Sequence, residues 1–166
     1  MTISFAAKGT PKGQPRARAY ARNMGGKYVA RMYDAGTADD WKDQIWVALH
    51  QELSRIAQRT TTSQPIDLAM VFLMPRPKSH FGKHALKDSA PRAHTAKPDL
   101  DNLCKLVMDV VTRSAAVWND DSQVVSVMAE KRYASASEHP GCVVTISESQ
   151  GSGYLPAYRL QRDQQN

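Results

Sequence analysis

The segment from Lys97 to Ser114 constrains the fold more than any other. Lys97-Pro98-Asp99-Leu100-Asp101-Asn102-Leu103-Cys104-Lys105 places a proline ahead of two carboxylates and then enters a helical pattern. The residue before a proline is driven out of the helical region, so Lys97 is extended and the helix starts after Pro98. Leu103, Leu106, Val107, Val110 and Val111 recur at helical spacing and predict an amphipathic helix over Asp99 to Ser114. At roughly 100° per residue, Asp101, Lys105 and Asp109 share the opposite side. Such a helix must lay its apolar face on another layer, which leaves the charged face open for chemistry.

That layer is a sheet. Ile66 to Met74 (IDLAMVFLM) is nearly continuously apolar and too short for an ordinary helix, the pattern of a strand buried on both faces. Ile3 to Ala7, about Gln123 to Tyr133, and Gly141 to Ser147 give three more strands, with Asp120-Asp121 opening the second of these. A first helix begins at Thr37, expected as its N-cap with Asp40 near the positive end of the helix dipole. Trp41, Ile45, Ala48, Leu49, Leu53 and Ile56 form its apolar stripe. Arg59 to Pro65 is a polar break. The expected fold class is α/β (α+β): a single domain over residues 1–149, a small mixed β-sheet packed by two main helices. Residues 150–166, rich in Gly, Gln and Arg, are expected as a weakly structured tail.

Charge narrows the function. Lysine and arginine exceed aspartate and glutamate by 22 to 16, a net +6, and the excess is uneven. Lys8, Lys12, Arg16, Arg18, Arg22, Lys27 and Arg31 precede the first acid, Asp34, and a second basic block runs from Arg76 to Lys97. Such blocks attract polyanions, nucleic acid above all, although a solvated surface has the same composition. Between Arg16 and Tyr33 the cations alternate with Tyr20, Tyr28 and Tyr33. That pattern suits phosphate neutralisation with rings stacked on bases, and equally a twisted hairpin around Gly25-Gly26 with its tyrosines packed inward. The stretch from Lys78 to Lys97, after Pro75-Arg76-Pro77, has no strong periodicity, and a loop of that length in a compact domain points to function or to disorder.

Other classes drop out. No apolar run approaches the roughly 18 residues of a membrane span, and MTISFAAKG lacks the marks of a secretory signal, so a cytoplasmic protein is expected. Cys104 and Cys142 are too few for a disulfide framework or a zinc knuckle. His80 and His84 have no carboxylate or thiolate near enough in sequence to complete a zinc site.

The acids admit two explanations. Asp99 and Asp101, where an extended segment meets a helix, can point to one side, and Asp120-Asp121 can join them if the following strand lies beside the helix start. Three carboxylates about 4 Å apart would repel by roughly 4 kcal/mol per pair at an effective dielectric near 20, so they would need a proton or a cation. A hard ion, Mg²⁺ or Mn²⁺, suits oxygen ligands and water. Equally, acids cap helices, Asp101 and Lys105 can form an i, i+4 pair, and Asp120-Asp121 can start a turn.

The longer segment KPDLDNLCKLVMDVVTRSAAVWNDDSQVVSVMAEKRY resembles the signature of the RusA family of Holliday junction resolvases, through D-L-D-N-x-x-K, the intervening Asp109 and W-x-D-D-x-Q-V. Gly9-Thr-Pro-Lys-Gly-Gln-Pro-Arg-Ala-Arg is more weakly similar to the start of many members. The resemblance implies a small, often prophage-encoded, homodimeric endonuclease that cuts four-way DNA junctions with Mg²⁺, Mn²⁺ substituting, in recombination and repair. It implies Asp99, Asp101 and Asp121 as metal ligands, with Asp120 the less certain neighbour, and Lys105 as the essential basic residue. Lys12, Arg16, Arg18, Lys78, Lys83 and Lys97 are expected on DNA. A non-catalytic nucleic-acid binder, and a metal-dependent nuclease for another branched structure, are the alternatives.

Overall fold

The computed structural model of the chain describes residues 1–15, 18–33, 36–57 and 61–150. In β1 (Thr2–Lys8), buried Ile3, Phe5 and Ala7 alternate with exposed residues, the period of a strand with one face on a core. β2 (Arg18–Met24) and β3 (Lys27–Tyr33) pair antiparallel as a separate two-stranded sheet. Gly25 and Gly26 join them at φ 63° and 84°, a turn that only residues without a β-carbon adopt freely. The Asn23 side chain accepts the Gly26 N–H at 2.9 Å. Thus the hairpin backbone expected from Gly25-Gly26 is present, and Tyr28 next to its tip is 76% exposed rather than packed inward.

α1 (Asp39–Arg55) buries Trp41, Ile45, Leu49 and Leu53, the stripe expected from the sequence. Its N-cap is Ala38, without a side-chain cap, and not Thr37. The chain enters through a turn in which the Asp39 N–H bonds the Gly36 carbonyl at 3.3 Å, and this turn takes up Thr37. β4 (Ile66–Met74), α2 (Leu100–Ser114), β5 (Val124–Tyr133) and β6 (Gly141–Glu148) complete the domain. The main sheet has the order β1-β6-β4-β5, antiparallel except for the parallel pair β4 and β5. α2 lies on the crossover between those two.

Register explains the core. Ile3, Phe5 and Ala7 pair with Ile146, Val144 and Cys142, which pair in turn with Leu68, Met70 and Phe72. This row packs with the stripes of α1 and α2 into one cluster. The helices therefore cover a single face, and β4 is not buried on both faces as its composition suggested. Ala69, in the middle of β4, is exposed. α2 contributes Leu103, Leu106, Val107, Val110 and Val111. Burying each is worth roughly 1.5–3 kcal/mol, against about 0.2–0.5 kcal/mol for a charged pair on the open side. The apolar stripe alone decides how α2 is rotated, and Asp101 and Lys105 are exposed as a result.

The long segment after β4 is a strap clasped to the end of β5. The Arg76 guanidinium donates to the carbonyls of Ala134 at 2.6 Å and Pro91 at 2.9 Å and lies 5.2 Å from the Tyr133 ring centre. The rings of His80 and His94 each meet Tyr133 edge-on at 4.7 Å. Bridges Phe81–Leu86 and Ala93–Arg132 and a bond from the Tyr133 N–H to the Arg92 carbonyl complete the clasp. Arg16 and, within the expected tail, residues 151–166 lie outside the described residues, as do positions 59 and 60 of the expected polar break.

Candidate active site

α2 and β5 enclose a trough of about 590 Å³. Asp101, Lys105 and Asp121 supply its polar lining, and Leu100, Cys104, Met108, Val127 and Ala129 its apolar lining. Asp101 and Lys105 come from the first two turns of α2, where a turn's spacing puts them on one face. Asp121 comes from the 3₁₀ turn Asp121–Gln123 that runs into β5. Asp99 is the α2 N-cap by position, with extended backbone (φ −70°, ψ 148°), but its carboxylate caps nothing; only its carbonyl is engaged, by the Leu103 N–H at 3.1 Å. Among the described residues, the carboxylates of Asp99, Asp101 and Asp121 take no hydrogen bond or ion pair.

Charge couples along the trough. Burial, and then the negative charge of Asp101, push the Cys104 thiol up to about 11, which keeps it protonated. Half-buried Asp109 has its carboxyl raised, first by desolvation, with Lys105 opposing and Asp121 adding to the shift. Asp109 and Asp121 also line an adjoining cleft of about 200 Å³ with Gln14, Lys42, Thr112 and Arg113. Among the described residues, no three His, Cys, Asp or Glu side chains gather around one point fit for a metal ion. The acids are spread instead. Asp121 acts on Asp109, which lies two helical turns, roughly 12 Å along the axis, from Asp101.

The Asp120-Asp121 pair divides its labour. Asp120 accepts the Ser122 N–H at 2.9 Å and caps the 3₁₀ turn, and these bonds hold its carboxyl below the usual range. Asp121 is left to face the trough. The pair opens this turn, with the strand starting only at Val124.

Gln123 holds the turn in place. Its side-chain oxygen accepts the N–H groups of Asn119 at 2.8 Å and Asp120 at 3.2 Å, while its amide donates to the carbonyls of Thr62 at 2.9 Å and Gln64 at 3.1 Å. Trp118, fully buried, bonds Thr112 at 2.8 Å through its indole N–H and anchors the same turn to α2. The N-terminal loop docks from the other side. The Gln14 N–H bonds the Asn102 carbonyl at 3.0 Å, and a β-carbon on Gly13 would lie 3.1 Å from that of Asn102 and 3.2 Å from that of Pro98. Sequence reasoning gave neither Gln123 nor Gly13 a part. Their places inside the W-x-D-D-x-Q-V and Gly-Thr-Pro-Lys-Gly-Gln-Pro patterns were the available signal.

Of the residues expected on DNA, Lys78, Lys83 and Lys97 are exposed, and Arg18 opens β2. The Lys12 ammonium is bound to Asp40 at 2.6 and 2.9 Å, a pairing that holds the Asp40 carboxyl below its usual range.

Residues 8–147 match the family model of endodeoxyribonuclease RusA. The chain belongs to the RusA endodeoxyribonuclease family. The match spans both halves of the trough, from the loop at Gly9 to β6, and agrees with the resemblance carried by the D-L-D-N-x-x-K and W-x-D-D-x-Q-V segments. Comparison with curated proteins finds no match. Among the described residues, no helix is long and apolar enough to cross a membrane.

Proposed function

We propose that this member of the RusA family is a Mg²⁺-dependent, structure-selective endonuclease that resolves four-way DNA junctions by paired symmetric cuts, working as a homodimer in recombination and repair. The observation that carries this reading is the trough itself: Asp101 and Asp121, carboxylates from two elements with no hydrogen-bond or ion-pair partner among the described residues, line one open space together with Lys105. The donor set fits Mg²⁺, which keeps most of its waters and takes one or two carboxylates together with substrate phosphates, so a preformed cage of acids is not required. Asp101 and Asp121, which line the trough, would hold the ion, with Asp99, next to the helix start but outside that lining, as the third ligand that the family resemblance implies, and Mn²⁺ would use the same oxygens. Bound there, the ion supplies Lewis-acid stabilisation and a more acidic water. Lys105, exposed on the same helix face as Asp101, directs its ammonium at the charge that builds on the scissile phosphate.

Lys78, Lys83, Lys97, Arg16 and Arg18 grip DNA phosphates, with Lys12 joining them on release from Asp40. Junction preference then arises from DNA shape rather than base edges. Two symmetric cuts need two sites, and β5 offers the surface for a second copy: it is an edge strand, with Val125 62% and Met128 49% exposed.

Cleavage of four-way, three-way, flap and linear duplex DNA, with Mg²⁺ and with EDTA, tests the reading. Paired cuts in the four-way junction that EDTA abolishes are expected. Cutting unaffected by EDTA, or binding without cutting in either Mg²⁺ or Mn²⁺, overturns it, and preference for another branched form replaces the substrate.

A further inference from the structure

The helix-facing row of β5 passes Val127 and Ala129, which line the trough, and reaches Lys131 at the next alternate position. There the strand stops being wall and becomes a holder. The Lys131 ammonium donates to the Ala96 carbonyl at 2.8 Å and to the Pro98 carbonyl at 2.7 Å. These two carbonyls straddle Lys97, and the second belongs to the peptide that leads into Asp99. Lys131 is half-buried and, among the described residues, has no carboxylate partner.

A lysine has three donors and no acceptor, and bonds from a charged donor to carbonyls are among the stronger kinds. Placed on a strand that is itself fixed in the sheet, opposite buried Phe72, this ammonium acts as a rigid post for the loop. From the other side, Gly13 and the Gln14 N–H press on Pro98 and Asn102. The segment carrying Asp99 is therefore gripped between the N-terminal loop and Lys131. The remaining strap is fastened independently, at Tyr133, by Arg76, His80 and His94.

We propose that Lys131 is a positioning residue for the cation site: by binding the carbonyls of Ala96 and Pro98 it sets where Asp99 stands relative to Asp101 and the trough. The inference rests on the metal-dependent reading of the trough. Partners that orient ligands in this way are worth about tenfold to a hundredfold in metal affinity or activity.

The test compares the full chain with Lys131→Met and Lys131→Arg. Two quantities are measured: Mn²⁺ affinity of the DNA-free protein, from the loss of the free-ion electron paramagnetic resonance signal, and the Mg²⁺ concentration for half-maximal junction cleavage. Lys131→Met is expected to weaken both by about tenfold or more, with junction affinity in EDTA and its salt dependence unchanged. Lys131→Arg, which keeps a charged donor, recovers part of the loss. Unchanged metal dependence in Lys131→Met overturns the proposal while leaving the nuclease reading intact. A changed salt slope with unchanged metal dependence also overturns it, by making Lys131 a phosphate contact. If the wild-type chain binds Mn²⁺ but does not cut, the nuclease reading fails and the Mn²⁺ affinities still decide the part of Lys131. If it neither binds nor cuts, both fail. Should Lys131→Met not fold, Lys131→Gln, with one amide donor group, is measured against the same outcomes.

Discussion

Asp101 is the residue on which the functional reading turns. It is exposed, without a hydrogen-bond or ion-pair partner among the described residues, and on the same face as Lys105, so replacing it alters charge without opening a cavity. Asp101→Asn is expected to lower junction cleavage by at least about a hundredfold. Junction binding in EDTA should be retained or tightened, since one repulsion between site and phosphate is removed. Parallel cleavage and gel-shift titrations check this, and intact cutting with weakened binding contradicts the assignment. Gln123 makes a different kind of contribution, because its four hydrogen bonds tie the turn of Asp121 to Thr62 and Gln64. Gln123→Ala should cost roughly 1–3 kcal/mol, with Tm falling by roughly 2–4 °C per kcal/mol, and should reduce cleavage by about tenfold or more through displaced Asp121. Thermal unfolding and cleavage rates measured together are the check; full stability with lost activity would instead place Gln123 in contact with substrate.

Among the elements, those legible in the sequence were the ones with their own periodicity. The stripes of Trp41, Ile45, Leu49 and Leu53 and of Leu103, Leu106, Val107, Val110 and Val111 predicted α1 and α2 because burial against any layer imposes that spacing. The strap was not legible, because it is held by residues that become neighbours only on folding. Arg76 meets Ala134 across 58 positions and Lys131 meets Ala96 across 35. For the same reason the parts of Gln123, Gly13 and Lys131 were invisible, although Asp101, Lys105 and Asp109 could be placed on one face by counting. The connection between β5 and β6 carries a prediction of its own. Glu138 accepts two bonds from Arg132, at 2.6 and 2.7 Å, and one from the Ser135 N–H at 2.8 Å, which hold its carboxyl far below the ordinary 4.5. A carboxyl lowered by folding stabilises the native state fully above its unfolded value and loses that contribution as pH falls towards its folded value. Tm of the wild-type chain should therefore fall more steeply below pH 4.5 than that of Glu138→Gln. Parallel acid limbs in a Tm-against-pH series would exclude this pairing as a source of stability.

At the scale of the whole molecule, the helices occupy one face of the sheet and, among the described residues, β5 is an edge strand with no neighbour on its outer side. Lysine on an edge strand discourages pairing with another chain. Under the proposed homodimer, the double substitution Val125→Lys and Met128→Lys is expected to shift the protein from dimer to monomer in sedimentation equilibrium and to convert paired junction cuts into single nicks. A dimer that persists would move the interface elsewhere. Membership of the nuclease family was readable in two short motifs, whereas the trough between them was not. Periodicity locates a helix face, but only the crossover from β4 through α2 to β5 decides which strand that face meets.

One strand thus belongs to two surfaces. Val127 and Ala129 look into the trough from β5, and the backbone of the same residues forms the open edge of the sheet. Under the proposed assembly, a partner docked on that edge would stiffen the wall against which the phosphate is held. Specific activity should then depend on enzyme concentration, falling on dilution more steeply than the number of active sites does, because each departing copy takes with it a support of the site that stays behind.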